Sequence, residues 1–389
     1  MWRRLLAVLA LAAPISAALV NCGGSSGAAG GAQPAPYTAF ANPTDVAITG
    51  YTGDAMEPFI SKDGQYLFFN NRNDPSVDTN LYYASRVDDR TFTFLGTVPG
   101  VNSPMLDAVA SLDKLGNFYL VSNRSYAATL STIYSGPWSA ASGVGTVALV
   151  AGVSRQQAGS VNFDAEISAD GQTLWFDDGQ YSSSGVLLAA SIAVANRQGA
   201  AFVRQANSAA LLAAVNTGGL NYAPSISVDG LELFFTRIDT TTSGAAPAIY
   251  RSTRHDTNSP FGPAALVAAP NGFVEAPSLS ADGRLLYFHK LVNGTFVIQV
   301  MERPVVSNAQ IVFQSQSQSQ SPVPTDPAAI NELSRSPNRA LPRGTSRAPR
   351  GRLHRSRIFP RLASHIGREQ EPLSTLYPPG HRRRTLSAV

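Results

Sequence analysis

One short phrase recurs along the chain and constrains its fold more than any other feature. It is an apolar residue, Ser, any residue, Asp and Gly, followed by a β-rich run. Clear copies are Ile60-Ser61-Lys62-Asp63-Gly64, Ile167-Ser168-Ala169-Asp170-Gly171, Ile226-Ser227-Val228-Asp229-Gly230 and Leu279-Ser280-Ala281-Asp282-Gly283. A looser copy, Ala110-Ser111-Leu112-Asp113, delays its glycine to Gly116 and predicts a longer turn there. The aspartates at 63, 113, 170, 229 and 282 are 50, 57, 59 and 53 residues apart. A period near fifty with strand-like content predicts a propeller or an array. Only 14% of residues are charged, and the 32 Gly and 26 Pro supply many turns, which fits an all-β domain.

Each copy opens a set of strands. In the first, residues 57–61 form an inner strand, 65–70 a central one, 81–86 a third and 92–98 a fourth. The central runs Leu67-Phe68-Phe69, Leu174-Trp175-Phe176, Leu233-Phe234-Phe235 and Leu286-Tyr287-Phe288 are continuously apolar. Such runs predict burial on both faces, as where blades stack. The Asp-Gly step predicts a turn in which Asp accepts nearby amides and Gly takes positive φ. Ser61, Asp63, Gly64, Ser168, Asp170, Gly171, Ser227, Asp229, Gly230, Ser280, Asp282 and Gly283 are therefore read as structural. A calcium loop would need further oxygen ligands at fixed spacing, so no metal site is assigned. The last repeat lacks a fourth strand after Arg303. Residues 40–48 resemble residues 261–267 and are expected to supply it, closing the ring and removing exposed edges. The count favours five blades, with six as the alternative if a repeat has diverged.

The Ser-x-Asp-Gly turn, the Leu-x-Phe strand after it and a following Arg (Arg72, Arg124, Arg237) resemble the TolB-type β-propeller repeat over residues 40–303. Ala169 and Ala281 stand where that repeat usually has Pro. The resemblance implies a propeller, and members of this kind serve as binding platforms or as non-catalytic halves of peptidases.

The N-terminus reads as an export signal over residues 1–21: Arg3 and Arg4, then a short apolar stretch broken by Pro14. Its end, Leu19-Val20-Asn21-Cys22, carries the only cysteine and resembles a bacterial lipoprotein signal. Cys22 is the expected lipid-attachment residue, although Asn21 departs from the usual small residue. Gly23, by the same resemblance, favours the outer membrane, facing the periplasm or the surface. The Gly/Ala/Ser-rich segment 22–37 is expected to be a flexible tether, and 38–313 the propeller. Residues 314–389 hold thirteen Arg, no Lys and four acids, which leaves the remainder of the chain acidic by five charges. The tail is read as disordered. An alternative is that it is translated in a shifted frame, since arginine without lysine fits GC-rich codons out of phase. Export and the lack of interleaved aromatics argue against nucleic acid as a partner.

Chemistry is sparsely signalled. No Gly-x-Ser-x-Gly elbow stands between a strand and a helix, there is no His-Glu-x-x-His pair, and one Cys cannot build a zinc site. No cofactor is expected. His255 and His289 are read as a surface residue and a strand-end residue. Glu57, Asp107, Asp164, Glu166 and Glu275 lie at or beside inner strands and are the candidate channel carboxylates. They are read as members of the repeat that bond neighbouring amides. Arg72, Arg124 and Arg237 are placed on the side away from the inner-strand starts. The reading is a membrane-tethered envelope propeller that binds a protein or glycan without catalysis. The alternative is a carbohydrate-active hydrolase using channel carboxylates, and a third option is the detached propeller of a peptidase-like protein.

Overall fold

The structure, a computed structural model, describes residues 39–304 except 74–77, 183–185, 242–244 and 269–272. The expected leader, Cys22, the tether and the basic tail lie outside the described residues. No helix among the described residues is long and apolar enough to cross a membrane.

The strands run β1 (Ala41–Asp45), β2 (Ala47–Thr49), β3 (Met56–Ile60), β4 (Tyr66–Asn70), β5 (Leu81–Arg86) and β6 (Thr91–Thr97). Then come β7 (Asp107–Leu112), β8 (Asn117–Ser122), β9 (Ile133–Ser139), β10 (Gly143–Val144) and β11 (Ala148–Leu149), with a short α1 (Tyr126–Thr129). The third group is β12 (Ser160–Ile167), β13 (Thr173–Tyr181), β14 (Leu187–Gln198) and β15 (Ala201–Arg204), followed by α2 (Ser208–Leu211). The last two are β16 (Leu220–Ile226), β17 (Glu232–Ile238), β18 (Ala248–Thr253) and β19 (Ala265–Ala268), then β20 (Val274–Leu279), β21 (Leu285–Val292) and β22 (Thr295–Glu302). Among the described residues these make five sheets, one per repeat and antiparallel but for one edge pair, arranged as a five-bladed propeller.

Stacking of the blades follows from the period-2 alternation of the central strands. Leu67 and Phe69 pack toward the fifth blade, while Phe68 packs toward the second. Leu174 and Phe176 likewise face the second blade and Trp175 the fourth. Leu286 and Phe288 face the fourth, and Tyr287 faces the first. Each joint is thus a separate apolar layer, and each fully buried Phe contributes about 2–3 kcal/mol.

The ring closes through the N-terminal segment. β1 pairs antiparallel with β22 (Ala41 opposite Glu302, Thr44 opposite Val300), completing the fifth blade as expected. An unforeseen second contact follows: β2 pairs parallel with β6, so the same segment also edges the first blade.

Four of the turns share one hydrogen-bond pattern. Ser61, Ser168, Ser227 and Ser280 donate to Asp63, Asp170, Asp229 and Asp282 Oδ1 at 2.5–2.6 Å. Each serine also accepts the amide five residues on, at 2.8–2.9 Å. The second repeat corrects the expectation of a longer turn. Asp113 occupies the serine position, and its Oδ1 accepts from Leu115 and Asn117 N–H. Its backbone N–H donates to Asn117 O where Ser61 reaches Tyr66 O, so the turn is one residue shorter. Arginines ending third strands then staple the turns: Arg197, Arg254 and Arg303 Nε donate to Gly171, Gly230 and Gly283 O at 2.5–2.7 Å.

Candidate functional site

Inner strands β3, β7, β12, β16 and β20 line the axis, and each carries a bulge at its second motif position. Glu57, Val109, Asp164, Ala223 and Ala276 all have φ between +48° and +54°. The bulge aims a backbone N–H at the preceding blade, where the end of the central strand supplies an acceptor. Glu57 N–H donates to His289 Nδ1 (3.0 Å), and Val109 N–H to Asn70 Oδ1 (3.2 Å). Ala223 N–H donates to Asp177 Oδ2 (2.8 Å), and Ala276 N–H to Thr236 Oγ1 (3.0 Å). The joint before Asp164 breaks the pattern, because the register places apolar Val121 there. Pro58, Pro224 and Pro277 follow three of these bulges, tolerated because this strand edge faces the axis.

These strands line a narrow recess, open to solvent, with Glu57, Asp164 and Glu166 on its wall. Its two ends differ. At the end carrying the Asp-Gly turns, Lys62 reaches across the axis from the first blade to the third. Its Nζ lies 2.8 Å from Glu166 Oε1, with side chains only 3% and 6% exposed. Ser111 Oγ donates to Glu166 Oε2 (2.9 Å). Glu166 is thereby neutralised.

At the other end carboxyl groups gather without such compensation. Glu57 Oε1 accepts from Asn73 Nδ2 (2.9 Å), while Glu57 Oε2 is buried with no donor. Asp164 faces Asp177 of the neighbouring strand, and Asp177 Oδ1 has no donor unless one of the two acids carries a proton. Glu275 Oε1 accepts from the Tyr222 hydroxyl, and its Oε2 lies 3.3 Å from His289 Nε2, out of line for a hydrogen bond. Because His289 Nδ1 is occupied by an incoming N–H, the ring proton sits on Nε2, toward Glu275. Glu57, Asp164 and Asp177 form no ion pair with Lys or Arg among the described residues.

The electrostatic result is a set of acids held back from ionising. Burial, then the Asp164 charge, pushes Glu57 up to about 8, against a smaller opposing effect of His289. Burial raises Asp164 to about 7. Asp177 is also raised well above the usual carboxylate range, through burial and the Asp164 charge. Burial and Glu275 also raise the Tyr222 hydroxyl.

The structure brings together Glu57, Asp164 and Glu275, sets Glu166 in an ion pair at the far end, and leaves Asp107 apart. Asp107 accepts from Ser103 Oγ (2.7 Å) and pairs with Arg124. The acids are not recurrent members of the repeat. At the bulge position the other blades carry Val109, Ala223 and Ala276. At the position of Glu275 they carry Met56, Ala108, Phe163 and Tyr222. The placement of Arg72, Arg124 and Arg237 away from the inner-strand starts is corrected too. A central strand runs antiparallel to its inner strand, so it ends where the inner strand begins. There Arg72 pairs with Asp54 (2.9 Å), Arg124 with Asp107, and Arg237 Nε donates to Asn221 Oδ1 (2.7 Å). His255 is exposed beside Asp256.

Asp177, Tyr222, Asn73 and Lys62 were missed from the sequence. Asp177-Asp178 was the available signal, an acidic pair where the other central runs end in Asn70, Thr236 and His289.

The class defined by sheet pairing is a five-bladed β-propeller closed by its N-terminal strand. No family model and no curated protein matches the chain. Among solved structures it is similar to a putative TolB from Agrobacterium tumefaciens, at 18% identity over 64% of this chain and 76% of that one, with TM-score 0.38. It is similar to TolB from Acinetobacter baumannii at 15% identity over 65% of this chain (TM-score 0.38), spanning 55% of that chain. It is also similar to the catalytic domain of a Coprinopsis cinerea GH62 alpha-L-arabinofuranosidase, at 12% identity over 68% and 97% of the two chains, with TM-score 0.45. These similarities assign no activity.

Proposed function

We propose that this chain is an exported propeller, tethered to the envelope through a lipidated Cys22 and residues 22–37, that acts as a binding platform. Its recognition surface is the axial mouth bearing Glu57, Asp164 and Glu275. The observation that carries this is their departure from the fivefold repeat, with buried oxygens on Glu57 and Asp177 left without donors. A stacking role needs neither feature. Buried carboxyls with displaced titration mark functional sites, and the bulge amides hold this set rigidly. Lys62–Glu166 occupies the far end, so ligands enter from one side.

The test is binding of the full chain to panels of oligosaccharides and envelope-derived peptides, wild type against Glu57→Gln/Asp164→Asn. A ligand lost in the variant supports the platform. A ligand bound equally by both places recognition elsewhere and overturns it. Membrane fractionation unchanged in Cys22→Ser would remove the tether.

A second reading is glycoside hydrolysis, favoured by one observation: Glu57, Asp164 and Asp177 lie close together with their ionisation held back by burial, as an acid and base pair requires. Against it, Asp177 Oδ2 is held by the Ala223 amide and Glu275 by Tyr222. Turnover of aryl glycosides that disappears in Glu57→Gln would replace the platform with an enzyme.

A further inference from the structure

We infer that the group recognised at the axial mouth is a primary ammonium, seated among Glu57, Asp164, Asp177 and Glu275, acids that have the Tyr181 and Tyr222 side chains beside them. This rests on the mouth being the recognition surface and goes further by fixing the chemistry of the ligand.

Charge comes first. Four carboxyl groups converge from the first, third and fifth blades, and the basic side chain paired with them among the described residues is the His289 ring, 3.3 Å from Glu275, whose Nδ1 accepts an N–H and so leaves the ring neutral. Enclosed acids without counter-charge destabilise a fold unless they are protonated or receive a cation. An anionic ligand is excluded by the same sign, and a neutral one leaves the repulsion in place.

The second observation concerns unsatisfied atoms. Asp177 is wholly buried beside Asp164, yet its Oδ1 has no donor, and Glu57 Oε2 on the recess wall has none either. Two carboxyl groups facing each other must share a proton. A ligand N–H of positive charge replaces that proton and supplies donors to the idle oxygens. An ammonium carries three donors and no acceptor, which suits the idle oxygens of Glu57 and Asp177.

The aromatic residues near the acids agree with this assignment. The Phe163 ring lies 6.4 Å from both the Tyr181 and Tyr222 rings, and aromatic faces attract cations. A bare metal ion fits less well: among the described residues no three His, Cys, Asp or Glu side chains are grouped so as to hold one.

The ammonium can belong to a lysyl side chain of a protein or to a free amine, and the experiment separates the two. Calorimetric titration of the full chain uses three probes: N-acetyl-lysine methylamide, n-butylammonium, and the uncharged isostere N-acetyl-norleucine methylamide. Both amines should bind and the isostere should not. A lysine probe at least tenfold tighter than butylammonium identifies a peptide-borne ammonium, and the reverse order a free amine; both outcomes support the inference. Affinity should rise at least tenfold from pH 5.5 to pH 8.5, with release of protons on binding. The groups facing the ligand are Glu57, Asp164, Asp177, Glu275, His289, Tyr181 and Tyr222. Glu57→Gln and Asp164→Asn should each weaken the amines at least tenfold. These variants keep the side-chain shape without the titrating group and are expected to fold, as circular dichroism would verify. Glu302→Gln, on the surface beside Arg90, should leave binding unchanged.

Equal binding of the isostere, or no amine binding at millimolar concentration, overturns the ammonium. If a neutral oligosaccharide then binds and is lost in the same two variants, the mouth remains the recognition surface. If no ligand responds to those variants, both readings fall.

Discussion

Replacing Lys62 by Met should weaken the fold far more than one surface-turn lysine suggests. Lys62 Nζ is 2.8 Å from Glu166 Oε1 and 5.0 Å above the Phe59 ring, and the paired side chains are only 3% and 6% exposed. Met preserves most of the buried stem, so the loss isolates the charge. Glu166 would keep only the Ser111 hydroxyl as donor, and stranding a buried charge this way costs about 3–5 kcal/mol. Urea unfolding at pH 7, followed by Trp138 and Trp175 fluorescence, should show the midpoint falling by about 1 M or more, given a slope of about 3 kcal/mol per M. Adding Glu166→Gln should restore most of the stability, because the stranded charge is then gone. A Lys62→Met protein within about 1 kcal/mol of wild type would refute the reasoning. So would a double variant no more stable than the single one.

Stability should fall as pH rises from about 5 to 9. Glu57 titrates near 8 and Asp164 near 7 in the fold, so the folded chain binds more protons than the unfolded one across this window. Either group acting alone would cost about 4–5 kcal/mol once ionised; thermal melts should show the decline, and Glu57→Gln should flatten it. Arg303→Lys should lose about 2–3 kcal/mol in denaturant melts, since both guanidinium nitrogens lie 2.7 Å from the fully buried Glu232 carboxylate and an ammonium cannot match that fork. Gly219→Ala should cost more than about 3 kcal/mol by the same measurement. Its φ of +144° disfavours any side chain, and a Cβ would sit 1.9 Å from Ile238 O.

The ring was legible because blade stacking imposes a rule on single residues. Leu67, Phe68 and Phe69 must all be apolar when alternate side chains serve different joints, and Ser61 with Asp63 must recur where the same turn recurs. The second repeat misled because Asp113, at the serine position, accepts the amides that a serine and an aspartate share elsewhere. The mouth was only half legible. Glu57, Asp164 and Glu275 were visible as acids beside inner strands, and Asp107 looked equivalent. One position decides its fate: Asp107 precedes the bulge residue by two and turns to Ser103 and Arg124. The bulges themselves left no trace, since Glu57, Val109 and Ala223 adopt a conformation usually reserved for glycine. Asp177 was hidden because its importance comes from Asp164 on the adjacent strand, a pairing that only the sheet register creates.

The pairing of β1 with β22 also dictates when the molecule can be finished. Thr44 meets Val300 across some 256 residues of intervening chain, so the first strand must wait, unpartnered, until the last repeat exists. Contacts of such long range slow folding and expose edges meanwhile. Synthesis from the N-terminus therefore cannot complete the ring blade by blade. A ribosome-bound intermediate holding four blades would keep β1 open to proteases and chaperones, and it would shut in a single late step.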